Sequence, residues 1–241
     1  MKIIVNGAGG RLGKEVIKAA TEAGYETVAV DINGGEGVFS SLSAYTGAAD
    51  VIVDFSSHLA TKELTEYATR RSLPLVIATT GQTEEEKALI LSAAKKVPLF
   101  FSANMSYGVA LLVSLVKKAA ALLAEDDAEI VEFHHNRKAD APSGTALMIA
   151  DAIASVRDDA HIVTGRSGMA KRQKGDVGVS AVRLGNVVGR HEVYFSDGME
   201  TLTLTHEAHD RALFARGALR AAEYIVGKAP ALYTMQDLVE A

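Results

Sequence analysis

The 241-residue sequence predicts an α/β protein in two parts: a parallel-sheet domain, then an α+β domain with a mixed sheet. Three observations lead there. Up to Phe101, short β-branched runs alternate with helical patterns, which signals βαβ units and so a parallel sheet with helices on both faces. A glycine-rich turn, Gly7-Ala8-Gly9-Gly10-Arg11-Leu12-Gly13, joins the first such run to the first helix. Beyond Phe101 the alternation stops and strand-like runs follow one another directly. The first part is therefore expected to be Rossmann-like.

The expected strands of the first part are Lys2–Val5, Thr27–Val30, Val51–Val53, Leu75–Ile77 and Val97–Phe100, with helices at Arg11–Glu22, Leu59–Arg71 and Glu84–Lys95. Asn33–Gly47, rich in Gly and Ser, reads as a loop or a minimal crossover. In the second part an amphipathic helix over Gly108–Ala124 precedes a strand at Ala128–His134 and a helix from about Ser143 to Ala154. Gly165–Gly178 is polar, basic and Gly-rich, and is expected to be an exposed, mobile loop. Strands then follow at Val179–Leu184, Val187–Phe195 and Thr201–His206; Ser196-Asp197-Gly198 turns the last two into antiparallel neighbours. Helices at Arg211–Gly227 and Met235–Glu240 close the chain. Glu84-Glu85-Glu86 after Thr83 reads as the favourable acidic first turn of a helix, and the Met and Phe residues of Gly108–Ala154 as core.

Composition narrows the function classes. At ~100–200 residues per domain the length suits one large domain or two small ones. A hydrophobic share of 48% with 23% charged residues provides a real core and excludes long-range disorder. A formal net charge of −5 disfavours nucleic-acid and membrane-surface binding, which call for a basic stripe. With no cysteine, disulfide scaffolds, thiolate zinc sites and cysteine nucleophiles are all excluded. Met1–Asn6 carries no apolar leader and no apolar run reaches the ~18 residues of a membrane span, so the expectation is a cytoplasmic protein. The sequon Asn104-Met105-Ser106 is then a chance match.

The glycines at 7, 10 and 13 suit a tight turn, close backbone approach to a phosphate, and close packing of helix on strand. The helix they open offers free N–H groups and a positive dipole end to an anion. Asp31 ends the second strand near the ~20-residue spacing expected for a carboxylate that binds an adenosine ribose. A strand, glycine turn, helix, strand and terminal Asp in that order point to a dinucleotide. The plainer alternative is a flexible turn and a solvated strand end. Asp31 would repel the 2′-phosphate of NADP, whereas Arg11 and Lys14 would offset it, so the reading leans to NADH and keeps NADPH open. Asp54-Phe55-Ser56-Ser57 and Thr79-Thr80-Gly81 fall at carboxyl ends of strands, where ligands bind in open α/β sheets, although Ser57 and Thr80 also suit plain caps.

The densest chemistry is Glu132-Phe133-His134-His135-Asn136-Arg137-Lys138-Ala139-Asp140-Ala141-Pro142-Ser143-Gly144-Thr145. Its basic residues make a positive patch on an acidic chain, suited to a small anionic substrate such as a carboxylate. Pro142-Ser143-Gly144-Thr145 opens a helix and forms a second anion-binding terminus. A His beside such a patch can donate a proton near neutral pH. Adjacent strand residues point to opposite faces, so His134 and His135 should not share one role. His206 and His209 lack both helical i, i+4 spacing and a third ligand, and no metal is expected.

Taken together, the sequence resembles the 4-hydroxy-tetrahydrodipicolinate reductase (dihydrodipicolinate reductase) family essentially end to end. The resemblance rests on Gly7–Gly13, Asp54-Phe55-Ser56, Thr79-Thr80-Gly81, Ser102-Ala103-Asn104-Met105-Ser106 and above all His134 through Thr145. It implies a dinucleotide-binding domain at 1–106 and 211–241, a substrate-binding and tetramerisation domain at 107–210, and NADH- or NADPH-dependent reduction of the dicarboxylate heterocycle. His134 would then be the proton donor and Lys138 the catalytic cation. His135, Ser143, Gly144 and Thr145 would hold the carboxylates, with Arg211 also facing the substrate. Gly7, Gly9, Gly10, Arg11, Leu12, Gly13, Asp31, Phe55, Ser56, Thr79, Thr80 and Gly81 would bind the cofactor, and Ala103, Asn104 and Met105 would lie against the nicotinamide. Ile32 and Asn33 follow Asp31 where some relatives carry a basic residue. Two other readings are weighed: another two-domain NAD(P)-dependent dehydrogenase, and a silent NAD(P)-sensing protein, against which the intact basic block speaks.

Overall fold

The computed structural model describes residues 1–241, and the chain forms two compact units: Met1–Ser106 with Arg211–Ala241, and Tyr107–Asp210.

In the first unit seven strands, β1 (Lys2–Asn6), β2 (Glu26–Val30), β3 (Val38–Phe39), β4 (Val51–Asp54), β5 (Leu75–Ile77), β6 (Pro98–Phe101) and β12 (Ala231–Tyr233), form one parallel sheet in the order β12-β6-β5-β4-β1-β2-β3. The order runs outward from β1 in both directions, so the sheet reverses between β1 and β4; such a switch point is where open α/β sheets bind ligands. Strand β4 is buried along its whole length because helices cover both faces of the sheet. Helix α1 (Arg11–Glu22) packs with α6 (Ala212–Ile225), and α2 (Thr61–Arg71) with α3 (Glu84–Ala94). Ile4, Ile52, Leu64, Leu75, Ile77, Ile90 and Leu99 form one core layer with α2 and α3. Thr83 and Glu86 close a capping box at the start of α3, and Glu84, Glu85 and Glu86 fill its first turn as expected.

Two segments of this unit differ from the sequence reading. Asn33–Gly47 contains the two-residue strand β3 and a 3-10 turn at Leu42–Ala44, with Leu42 fully in the core. Strand β12 adds an edge to the sheet beside β6. Both strands are too short to show a periodicity.

The second unit has a five-stranded mixed sheet built from β7 (Asp127–His134), β8 (His161–Thr164), β9 (Asp176–Arg183), β10 (Gly189–Ser196) and β11 (Thr201–Ala208), in the order β11-β10-β7-β9-β8. The first two pairings are antiparallel and the last two parallel, and the hairpin turn at Ser196-Asp197-Gly198 joins β10 to β11 as predicted. Helices α4 (Tyr107–Leu122) and α5 (Gly144–Ala154) cover one face, their Val113, Val116, Ile149 and Ile153 meeting Ile130, Val179, Val193 and Phe195. Arg157 closes the end of α4 by donating to the carbonyls of Ala120 (3.1 Å) and Asp126 (2.9 Å) and to that of Leu123, which would otherwise be orphaned.

Strand β8, largely exposed at the sheet edge, is absent from the sequence reading, and Asp176–Gly178 belongs to β9 rather than to the preceding loop. The rest of that loop is exposed but tied down: Arg166 pairs with Asp176 at 3.1 Å and Arg172 with Asp127 at 2.7 Å and with Glu129. Its two arginines thus serve as anchors to the sheet. A short helix α7 (Met235–Val239) ends the chain, and no helix is long and apolar enough to cross a membrane.

Candidate active site

In the first unit the chain leaves β1 through Gly7, whose φ of +80° lets its own N–H and that of Ala8 both donate to the Val30 carbonyl, at 2.9 and 3.0 Å. Helix α1 crosses this turn so closely that a Cβ on Gly13 would lie 2.1 Å from the Gly7 oxygen. Gly10 caps α1 with no side chain, so the first-turn N–H groups of Arg11 and Leu12 are left for a ligand anion. Asp31 accepts from Gly9 N at 2.9 Å and from Asn33 N and Nδ2 at 3.0 and 2.9 Å. The backbone N–H of Asn33, helped by that of Gly9, holds its carboxyl below the usual range against the opposing effect of burial. A cavity of about 600 Å³ opens here, bordered by Gly9, Gly10, Asp31, Phe55 and two large apolar side chains, Ile32 and Leu59, that are 91% and 78% exposed. That volume lies in the range of small-molecule sites.

The loops after β1, β4 and β5 meet on one buried carboxyl, Asp54. It accepts from Asn6 Nδ2 (2.8 Å), Ser56 Oγ (2.5 Å) and Thr79 Oγ1 (3.3 Å), and its burial raises its pKa despite those hydrogen bonds. The hydroxyls of Ser56 and Thr79 therefore brace the loops from within, which the sequence reading had left open, and Ser57 caps the 3-10 turn that follows by accepting from Leu59 N at 3.3 Å. Thr80 is exposed and, with Leu12, borders a smaller cavity of about 350 Å³, while Gly81 turns the chain at φ +91°. In the loop after β6, Ala103 is exposed and Asn104 is fixed by Ser102 Oγ, which donates to its carbonyl at 2.8 Å. Met105 has its side chain in the core, and a Cβ on Gly217 of α6 would strike its carbonyl, so Met105 packs the helix. Arg211 lies in this first unit at the residue preceding α6.

The second unit gathers the basic block around another buried carboxylate. Along β7 every second residue is buried: Ala128 and Ile130 face α4 and α5, and the same row continues as Glu132 and His134. Glu132 is fully buried and accepts four hydrogen bonds. His134 Nδ1 lies 2.5 Å from its Oε2, Ser143 N donates to Oε1 at 3.0 Å, and Arg183 donates through both terminal nitrogens at 2.9 and 2.8 Å. Burial alone would raise the Glu132 pKa; hydrogen bonds from Arg183, His134 and Ser143 outweigh it and keep the pKa low. Arg183 also donates to the Asp140 carbonyl at 2.6 Å, which folds the basic turn back over the strand end.

His191, across the sheet on β10, stands edge-on to His134 with ring centroids 5.3 Å apart, and its Nε2 lies 3.2 Å from Ser143 Oγ. Its Nδ1 is buried without a partner. Burial, reinforced by the positive charge available to His134, lowers its pKa to about 4, so the ring is neutral at pH 7. Ser143 caps α5 by accepting from Ala146 N at 3.2 Å; Gly144 is exposed and Thr145 half-buried at the same terminus. The chain enters that terminus through a cis Ala141–Pro142 bond. Lys138 pairs with Asp140 at 2.8 Å, and its N–H donates to the His135 carbonyl at 3.1 Å. His134 is the histidine that turns inward, whereas His135 is half-buried.

The structure thus brings His134 and Ser143 together through Glu132, to which the sequence reading assigned no role, and adds Arg183 and His191. The visible signal was the period-two row on β7, which places a Glu and a His at inward positions. Nothing in the sequence aligns Arg183 or His191 with that row, because sheet register brings them there.

A Rossmann unit with an anion-ready glycine turn, together with a second unit that holds a buried imidazole beside a helix N-terminus, has the parts of a nicotinamide-dependent oxidoreductase. Residues 1–105 match the family described as dihydrodipicolinate reductase, N-terminus, and residues 108–239 match dihydrodipicolinate reductase, C-terminus. The chain is 47% identical to the 4-hydroxy-tetrahydrodipicolinate reductase of Caldanaerobacter subterraneus subsp. tengcongensis, over 100% of this chain and 98% of that protein. It is 40% identical to the enzyme of the same name from Clostridium novyi, over 99% and 98%. Among solved structures, dipicolinate-bound dihydrodipicolinate reductase from Paenisporosarcina sp. TG-14 shares the fold at TM-score 0.83 and 24% identity, covering 99% of each chain. The chain belongs to the dihydrodipicolinate reductase family.

Proposed function

We propose that the protein catalyses the NAD(P)H-dependent reduction of 4-hydroxy-tetrahydrodipicolinate to tetrahydrodipicolinate, the reduction step of lysine and diaminopimelate biosynthesis. The observation that carries this reading is the Glu132 cluster, in which one carboxylate binds both a titratable imidazole and the N-terminus of α5. A proton source and a carboxylate site at a fixed separation are what reduction of a dicarboxylate heterocycle needs.

The residues of the first unit fit a dinucleotide. A side chain at Gly9 would press on the Asp31 carboxylate and one at Gly13 would strike the Gly7 oxygen, so glycine at both positions keeps the turn tight and its N–H groups open to a pyrophosphate. Gly7, Gly9, Gly10, Arg11, Leu12 and Gly13 hold the phosphates and Asp31 the adenosine ribose, with a preference for NADH. Phe55, Ser56, Thr79, Thr80 and Gly81 border the rest of the cofactor, and Ala103, Asn104 and Met105 the nicotinamide, Met105 through its backbone. When bound, the reduced nicotinamide supplies the hydride. His134 gives a proton from Nε2 to the atom that gathers charge, and Lys138 steadies that charge. Ser143, Gly144, Thr145 and His135 hold the carboxylates, with Arg211 contributing. The second unit is the substrate-binding and tetramerisation domain of a cytoplasmic homotetramer. The solved relative carries dipicolinate, a planar dicarboxylate of the kind this site would accept.

Loss of reduced-nicotinamide absorbance, with substrate made in situ from pyruvate and aspartate semialdehyde, tests the reading. NADH and NADPH are run in parallel with His134→Gln and Lys138→Ala. Rapid oxidation that collapses in both variants supports it; cofactor binding without oxidation overturns it in favour of another dehydrogenase or a sensor.

A further inference from the structure

We propose that Glu132, clamped by Arg183, is a positioning residue that fixes a hydrogen on Nδ1 of His134, restricts proton exchange to Nε2, and ties that proton to the carboxylate-binding end of α5. The inference rests on the reductase reading for its catalytic consequence, while the state of the ring stands on geometry alone.

The carboxylate of Glu132 has no capacity left for a proton of its own. Oε1 accepts from Ser143 N–H and one Arg183 nitrogen, and Oε2 accepts from the other Arg183 nitrogen and faces His134 Nδ1. A guanidinium fork on a buried carboxylate favours its ionised form. The only hydrogen available to the 2.5 Å line between Glu132 and His134 is therefore one carried by Nδ1. With Nδ1 committed, Nε2 becomes the atom that gains or loses a proton. Nε2 points at Gly189, where a Cβ would come within 3.1 Å; the missing side chain keeps this edge of the ring from being covered. A carboxylate behind a histidine that fixes tautomer and orientation is the arrangement through which buried acids support acid–base histidines in hydrolases.

Two features distinguish this cluster from a simple dyad. Arg183 balances the buried negative charge, so the pair is not an isolated ion in a low-dielectric site. Ser143 N–H is held by the same carboxylate, so the proton donor and the helix terminus move together rather than independently. A displacement of either would be transmitted to the other, and positioning of this kind is where small shifts are costly in rate.

The test is ¹⁵N-resolved NMR of the His134 ring in the wild-type enzyme, paired with kinetics of Glu132→Gln. At a pH where the ring is neutral, the expected state is hydrogen on Nδ1 and a bare Nε2. In Glu132→Gln the amide N–H₂ faces the ring and the tautomer reverses. Then kcat falls by roughly 10²–10⁴-fold, as for a wrong-tautomer histidine. Dipicolinate affinity stays within about fivefold, because the amide oxygen still accepts from Ser143 N–H. A neutral wild-type ring with hydrogen on Nε2, or a variant whose kcat stays within about threefold, overturns the inference. Should the variant fail to fold, the wild-type tautomer decides the matter. A wild-type enzyme that shows the expected tautomer but no turnover would instead remove the reductase reading and leave the ring assignment standing.

Discussion

His191 makes the second unit sensitive to mild acid. It is 3% exposed, has one unpartnered nitrogen and carries a pKa of about 4 against 6.5 for an unhindered histidine. In the unfolded chain the ring binds a proton below pH 6.5; in the folded unit it does so only below about pH 4. The unfolded state therefore holds more protons in that window, and stability falls as pH is lowered through it. The full shift corresponds to about 3 kcal/mol, of which about 2 kcal/mol is lost between pH 7 and pH 5. His206, directly opposite on β11, has a pKa lowered by burial and acts with the same sign; Glu132, His134 and Lys138 complete the charged surroundings. His191→Phe keeps a ring in place and removes this titration alone, so the His206 contribution cancels in the comparison. Native-state hydrogen exchange at the β10 amides around Val193 and Phe195 reads the unfolding free energy of this unit by itself. The wild type should lose about 2 kcal/mol more than His191→Phe between pH 7 and pH 5. Equal losses, within about 0.5 kcal/mol, would refute the assignment of a neutral buried ring.

Two further expectations concern the first unit. Gly13→Ala forces a methyl group against the backbone oxygen of Gly7, which cannot move without opening the turn. Unfolding free energy should drop by about 2 kcal/mol or more in urea, and NADH fluorescence titration should show at least about a tenfold weaker complex; normal stability and binding together would mean that the turn is not the phosphate cradle. Asp31→Asn preserves an acceptor for Gly9 N–H while removing the charge that would face a 2′-phosphate. The ratio of kcat/KM for NADPH to that for NADH should rise about tenfold, equivalent to ~1.4 kcal/mol, and an unchanged ratio would take Asp31 out of cofactor choice.

Much of the first unit was legible because its local and global signals agree. Runs such as Val51–Val53 are apolar without interruption, as a sheet covered on both faces requires, and Thr83 with Glu86 marks a helix start by itself. The elements that escaped notice, β3, β8 and β12, are two to four residues long and gain their strand character from a neighbour's hydrogen bonds rather than from their own pattern. The loop before β9 misled for a different reason. Its Gly and Lys content reads as a solvated tether, yet Arg166 pairs with Asp176 on β9, and Arg172 finds Asp127 and Glu129 on β7, which no local window contains.

The site divides along the same line. Gly7–Gly13, with Asp31 at a set spacing, and the unbroken run His134 through Thr145 are local in sequence and so could be read as chemistry. The carboxyls that organise them, Asp54 and Glu132, were in view but unassigned, since each is meaningful only through partners brought by the sheet. Asp54 needs Asn6 from β1 and Thr79 from beyond β5; Glu132 needs Arg183 from β9 and the N-terminus of α5. Both sit at inward positions on strands whose other inward residues are apolar, where an unpaired carboxyl would be strongly destabilising. A buried acid in an otherwise apolar row is therefore a sequence signal that several distant donors must converge on it. In this protein the two such acids mark the two places where distant segments are held in register.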